Sequence, residues 1–137
     1  MSDLVVASVV GNPRPGSRTH AIGRTLAGAI SAELGTEPGP EIDLATLGAR
    51  TLDPADPGAI GAVEEVLEAD VLVVASPTYH FTPLLLELGA AVPVRGLFVV
   101  EAELEQFPAT ARAWAHRHAA ELVPAFGTSR PLEASNQ

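Results

Sequence analysis

The residues best equipped for chemistry fall in two short segments. The first reads Gly11-Asn12-Pro13-Arg14-Pro15-Gly16-Ser17-Arg18-Thr19 and follows an apolar run at residues 4–10. It offers two guanidinium groups (Arg14, Arg18), two hydroxyls (Ser17, Thr19), the amide of Asn12 and the N–H groups that open a helix without intrahelical partners. That donor set suits a phosphate monoester, because a helix N-terminus favours an anion and guanidinium forks match its oxygens. The plainer reading is a capped strand-to-helix turn, with Ser17 or Thr19 as N-cap and both arginines in water. The Gly11-x4-Gly16 spacing is that of a triphosphate loop, but Ser17 stands where the lysine belongs, and no GxGxxG occurs. Neither a nucleoside triphosphatase nor a dinucleotide fingerprint is therefore supported.

The second segment, Ser76-Pro77-Thr78-Tyr79-His80-Phe81-Thr82, follows another apolar run and holds the chain's only Tyr. A tyrosine, a histidine and hydroxyls beside backbone amides suit the edge and face of a flat heteroaromatic ring. The plainer reading is a turn whose aromatic groups cover the sheet edge.

Elements that position both segments can be read from pattern. Residues 4–10 (Leu-Val-Val-Ala-Ser-Val-Val) and 71–75 (Val-Leu-Val-Val-Ala) are apolar on both faces, as expected of central parallel strands. An Ala-rich helix is expected over 18–34, stopped at Gly35, with a loop at 36–40. A short strand at 41–47 would use Ile42, Leu44 and Leu47. Asp53 or Asp56 would cap a helix over 59–68 that turns Ile60, Val63 and Leu67 inward and Glu64, Glu65 and Glu68 outward. Residues 84–92 read as helix, 97–100 as strand and 108–122 as the last helix. Strands alternating with helices predict an α/β open parallel sheet, whose ligands sit at the carboxyl ends of strands near the switch point. Both segments lie at such ends.

Composition bounds the function. The chain has 137 residues, a formal net charge of −9, 47% hydrophobic residues and no cysteine. One domain over 1–123 with a flexible tail at 124–137 is expected. Disulfides and thiolate metal sites are excluded. The net charge argues against nonspecific nucleic-acid binding. No apolar run reaches the roughly 18–20 residues a membrane span needs. No basic stretch precedes the apolar start, so a secretory leader is not expected and a cytoplasmic location is. All eight basic residues are Arg, and Arg14, Arg18 and Arg24 share a stretch, 4–32, free of Asp and Glu. An acidic chain that keeps one segment free of carboxylates has room for a local anion site.

The two segments together resemble those of the NAD(P)H-dependent FMN reductases, a flavodoxin-like family. The first is similar to that family's G-S-x-R-x-x-S-x-[NT] phosphate loop. The second, taken from Ala69-Asp70 through Tyr79-His80, is similar to its A-[DS]-x-[LIV]-[LIV]-x-[AS]-[ST]-P-x-Y-[NH]-G segment. A weaker likeness continues over 84–105. The resemblance implies that Asn12, Arg14, Ser17, Arg18 and Thr19 hold the FMN phosphate. It implies that Pro77, Thr78, Tyr79 and His80 line the isoalloxazine ring. Chemistry would belong to the cofactor, with hydride from NAD(P)H and a small-molecule electron acceptor, as in flavin- or quinone-type reductases. No side chain need be catalytic, and no metal is implied.

Two positions depart from the family pattern: Asn12 replaces a usual Ser, and Phe81 replaces a usual Gly. Between Thr82-Pro83 and Leu84, roughly one βα unit of about 30–40 residues is missing. The shortened chain still folds as about four strands in order 2-1-3-4, since residues 82–96 exceed the dozen a parallel crossover requires. A homo-oligomer, dimer or tetramer, would restore the lost flavin wall. The alternative is a flavodoxin-like module that has lost FMN and serves as a partner subunit or in flavin-free biosynthetic chemistry.

Other chemistry-bearing residues have simpler roles. His116 and His118 are two apart on a helix and diverge, which suits a solvated face better than a metal. Glu101, Glu103 and Glu105 alternate without a His partner, and Trp114 reads as core or interface. No Gly-x-Ser-x-Gly elbow occurs.

Overall fold

The computed structural model describes residues 3–12, 14–77, 97 and 99–127. In chain order the elements are strand β1 (Val6–Val10), helix α1 (Arg18–Leu34), strand β2 (Glu41–Asp43), the single turn α2 (Leu44–Leu47), a 3₁₀ segment (Gly48–Leu52), helix α3 (Pro57–Glu68), strand β3 (Val71–Ala75), a second 3₁₀ segment (Glu101–Gln106) and helix α4 (Phe107–Gly127). Among the described residues the strands form a three-stranded sheet in order β2-β1-β3. Both pairings are parallel, with Val10 level with Asp43 on one side and Ala75 on the other. This is the α/β open sheet expected from the alternation of strands and helices. Leu97, Val99 and Val100 are not in a strand, and the helix expected over 84–92 lies outside the described residues.

Period-2 alternation decides what the sheet buries. Val6, Ser8 and Val10 share a face, and the register adds Val71, Val73 and Ala75 to it. α1 and α4 cover that face: Val6, Val71 and Val73 pack with Ala27 and Ile30 of α1 and Ala115 and Leu122 of α4. Ala111 and Ala115 are fully buried, so small side chains let α4 approach closely. Trp114 packs against this core and meets the His118 ring at a 50° tilt with centroids 4.8 Å apart. The helix runs past the expected boundary at Leu122 to Gly127.

Local chemistry sets most element ends. Ser17 caps α1 by accepting from the His20 N–H at 3.1 Å. Gly35 ends it in the left-handed region at φ 67°, with Gly35 N–H donating to Ala32 and Thr36 N–H to Ser31. That pair of bonds is a Schellman motif. Asp56 caps α3 through Ala59 N–H at 3.0 Å, and Pro57 sits at the tolerated first position. Asp56→Ala is expected to cost about 1 kcal/mol, read as a lower urea midpoint, while Asp56→Ser should restore most of it. Asp53 holds the turn before it, accepting from Ala55 N–H at 2.9 Å.

Two expectations need correction. The stretch at 41–47 is not one strand, because Asp43 accepts from Ala45 N–H at 3.1 Å and starts a helical turn at Leu44. Nor does α3 turn Ile60, Val63 and Leu67 inward: their exposures are 44%, 57% and 77%. Gly58, Gly61, Ala62 and Glu65, spaced i, i+3, i+4 and i+7, instead line an open gap against Ile42, Asp43 and Leu47. With glycines, an alanine and glutamates on that side, α3 buries no side chain fully.

Candidate phosphate-binding loop

Gly11 N–H donates to the Ala75 carbonyl at 2.9 Å, continuing the β1–β3 ladder by one bond. The loop after β1 and the residues after β3 therefore leave the sheet side by side at its carboxyl edge. Asn12, Arg14, Ser17, Arg18 and Thr19 lie on the first loop and opening turn of α1, and Pro77 lies on the second. Thr78, Tyr79 and His80 lie outside the described residues.

The first loop is shaped by its own side chains. Asn12 Oδ1 accepts from Arg14 N–H at 2.9 Å, an Asx turn. Asn12 Nδ2 donates to the Thr19 hydroxyl at 2.9 Å, tying the loop's start to the first turn of α1. Gly16 takes φ 61°, a left-handed conformation that side chains disfavour. Ser17 is spent as the cap. Arg14 and Arg18 are exposed, so their guanidinium groups are reachable from solvent.

One neighbour is an anion already. The Asp43 carboxylate at the end of β2 accepts from Gly16 N–H at 3.0 Å with one oxygen while the other caps α2. This partner, 27 residues away in sequence, was not among the residues expected at the site. A carboxylate on a loop amide does in miniature what a bound anion would do. One rim of the loop is thus occupied from within, while the exposed Arg14 and Arg18 side chains and the helix N-terminus edge the rest.

The remaining candidates sort simply. Glu41 meets two side chains of α1: His20 at 3.1 Å and Arg24 at 3.0 Å. His116 pairs with Glu33 at 3.2 Å and His118 with Glu121 at 2.6 Å, each with its own carboxylate. Among the described residues no group of three or more His, Cys, Asp or Glu is placed to hold a metal. Glu103 and Glu105 are exposed on the second 3₁₀ segment. No described helix is long and apolar enough to cross a membrane.

Compared with known proteins, the chain matches no family model, no curated protein and no solved structure.

Proposed function

We propose that this protein is an FMN-binding, NAD(P)H-dependent oxidoreductase of the flavodoxin-like kind, a small cytoplasmic flavin- or quinone-type reductase working as a homodimer or tetramer on a small-molecule electron acceptor. The observation that carries the reading is the joining of the two candidate loops by the Gly11–Ala75 hydrogen bond at the carboxyl ends of adjacent parallel strands, where open sheets bind ligands. The donor set fits a phosphate monoester. Arg14 and Arg18 supply charge, and the amides at the start of α1 supply aimed N–H groups. Asn12, Ser17 and Thr19 hold those donors in place through the bonds they make to Arg14 N–H, His20 N–H and each other's segment. Pro77, Thr78, Tyr79 and His80 would flank the isoalloxazine ring. When bound, FMN supplies hydride acceptance from NAD(P)H and onward electron transfer. The chain's own part is to hold the phosphate and orient the ring, and no side chain acts as acid or base. A fourth strand beside β3, giving order 2-1-3-4, would complete the sheet next to the ring.

The test is to add FMN to purified protein and follow the flavin spectrum and NAD(P)H oxidation. A saturable spectral shift with flavin-dependent oxidation is the expected result, and no binding at high micromolar FMN would overturn it. Asp43 yields a sharper check. Asp43→Asn keeps a good capping residue but removes the charge next to Gly16, so FMN affinity should rise about fivefold, on the order of 1 kcal/mol of relieved repulsion. Fluorescence titration of the two proteins measures it.

A second reading rests on that same contact. Because Asp43 already satisfies Gly16 N–H, the loop is held together without an external anion. A module that has lost FMN and serves as a partner subunit, or in flavin-free chemistry, would keep this arrangement. It predicts that Asp43→Asn lowers stability and leaves FMN unbound.

A further inference from the structure

Helix α3 carries an apolar stripe that the fold leaves uncovered. Ile60, Val63 and Leu67, at i, i+3 and i+7, share one side of the helix, and all three are exposed. Single exposed apolar residues are ordinary, but three on one helix face mark an interaction surface. The sheet does not claim them. α3 lies on the sheet face opposite α1 and α4, because Ile42, level with Val9, shares the open gap with Gly58, Gly61 and Ala62. Ala59, Ala62 and Val66 repeat the stripe's spacing one residue earlier and are the half-buried side. One residue is a turn of about 100° round a helix, so the stripe is rotated away from the packed side. Leu72 of β3 shares the sheet face of Ile42 and, at 36% exposure, adds apolar surface there.

Charge selects the partner. Every charged residue of α3 is acidic, and Glu64 and Glu68, directly after Val63 and Leu67, edge the stripe. Glu64, Glu65 and Glu68 are exposed and make no ion pair among the described residues. With Glu41 and Asp43 they line the gap of about 510 Å³ between α3 and β2. The stem of a lysine or arginine could lie there along Ile42 and Leu47 with its head among the carboxylates. An anionic membrane surface would repel such an edge. A second copy suits it poorly, since the chain carries a net charge of −9 and α3 has no cation to meet the glutamates of its copy.

We propose that α3 docks an amphipathic helix of a partner protein, one with an apolar ridge and a row of Lys or Arg beside it. The ridge seats on Ile60, Val63 and Leu67, and the cations meet Glu64, Glu65 and Glu68. This does not rest on flavin binding, because no α3 residue belongs to the candidate phosphate loop. The test is fluorescence anisotropy of a labelled helical peptide of about 20 residues, with a Leu ridge and a Lys edge, titrated with the full chain. Saturable binding is expected, weakening at least about tenfold between about 50 and 500 mM NaCl. The same peptide with Glu along its edge should bind at least about tenfold more weakly. Val63→Ala/Leu67→Ala should weaken binding at least about tenfold. Alanine suits a helix and both positions are exposed, so circular dichroism should match the parent. Glu64→Gln/Glu68→Gln should weaken binding severalfold and flatten the salt dependence. The proposal is overturned if the Lys peptide shows no saturable binding, if the Glu peptide binds as tightly, or if either double variant binds as the parent does. It is equally overturned if sedimentation shows a dimer of this chain that Val63→Ala/Leu67→Ala splits, since a second copy would then hold the stripe.

Discussion

Replacing Gly39 with alanine is expected to destabilise the protein by about 3 kcal/mol or more, a large share of the roughly 5–15 kcal/mol that keeps a domain folded. A Cβ on Gly39 would stand 2.2 Å from the Val6 carbonyl oxygen, 2.9 Å from its carbon and 3.4 Å from its nitrogen. All three atoms are backbone, so no flexible side chain can swing aside. Val6 belongs to the central strand and is 1% exposed. One residue on, the Pro40 carbonyl accepts from Ser8 N–H at 3.0 Å, which pins this approach to β1. Relief therefore requires parting β2 from β1. Gly28→Ala is the matched control: its Cβ meets no atom within 4 Å, and alanine is favoured over glycine inside a helix by about 1 kcal/mol. Urea unfolding followed by circular dichroism measures both. Gly39→Ala should lose the cooperative transition or shift it steeply down, and Gly28→Ala should hold it or raise it. A Gly39→Ala loss under about 1 kcal/mol would show that the strand approach is looser than described.

The second large effect concerns the loop. Arg14→Ala/Arg18→Ala should weaken FMN binding about 100-fold, from two charge-assisted contacts worth roughly 1.5 kcal/mol each. Both side chains are exposed, so the unfolding free energy should change by no more than about 0.5 kcal/mol for each. Isothermal titration calorimetry reads the first quantity and urea unfolding the second. An unchanged dissociation constant would remove the arginines from the site.

Legibility from sequence follows the range of the interaction. Ser17, Gly35 and Asp56 act on groups within a few residues of themselves, so type and position mark the stop at Gly35 and narrow the caps to Ser17 or Thr19 and to Asp53 or Asp56. The β-branched runs at 4–10 and 71–75 announce strands and their alternation with helices announces parallel pairing, but Leu72 is 36% exposed and the alternation does not set the order β2-β1-β3. Leu44 misleads because two apolar residues at spacing two are too few to outweigh an aspartate poised to start a helical turn. Ile60, Val63 and Leu67 mark an apolar stripe, but a stripe does not say which neighbour meets it, and Gly58 and Gly61 face β2 in its place. Asp43 reaching Gly16 joins residues far apart in the chain. No local pattern carries that pairing.

Whether the loop from Gly11 to Thr19 holds the phosphate of a flavin is answered by comparing FMN with riboflavin. The two ligands share the isoalloxazine ring and differ in the phosphate. Fluorescence titration of the purified protein with each should give an FMN dissociation constant at least about 30-fold lower, near 2 kcal/mol from the phosphate contacts alone. Equal affinities, or binding of neither ligand, would contradict the account.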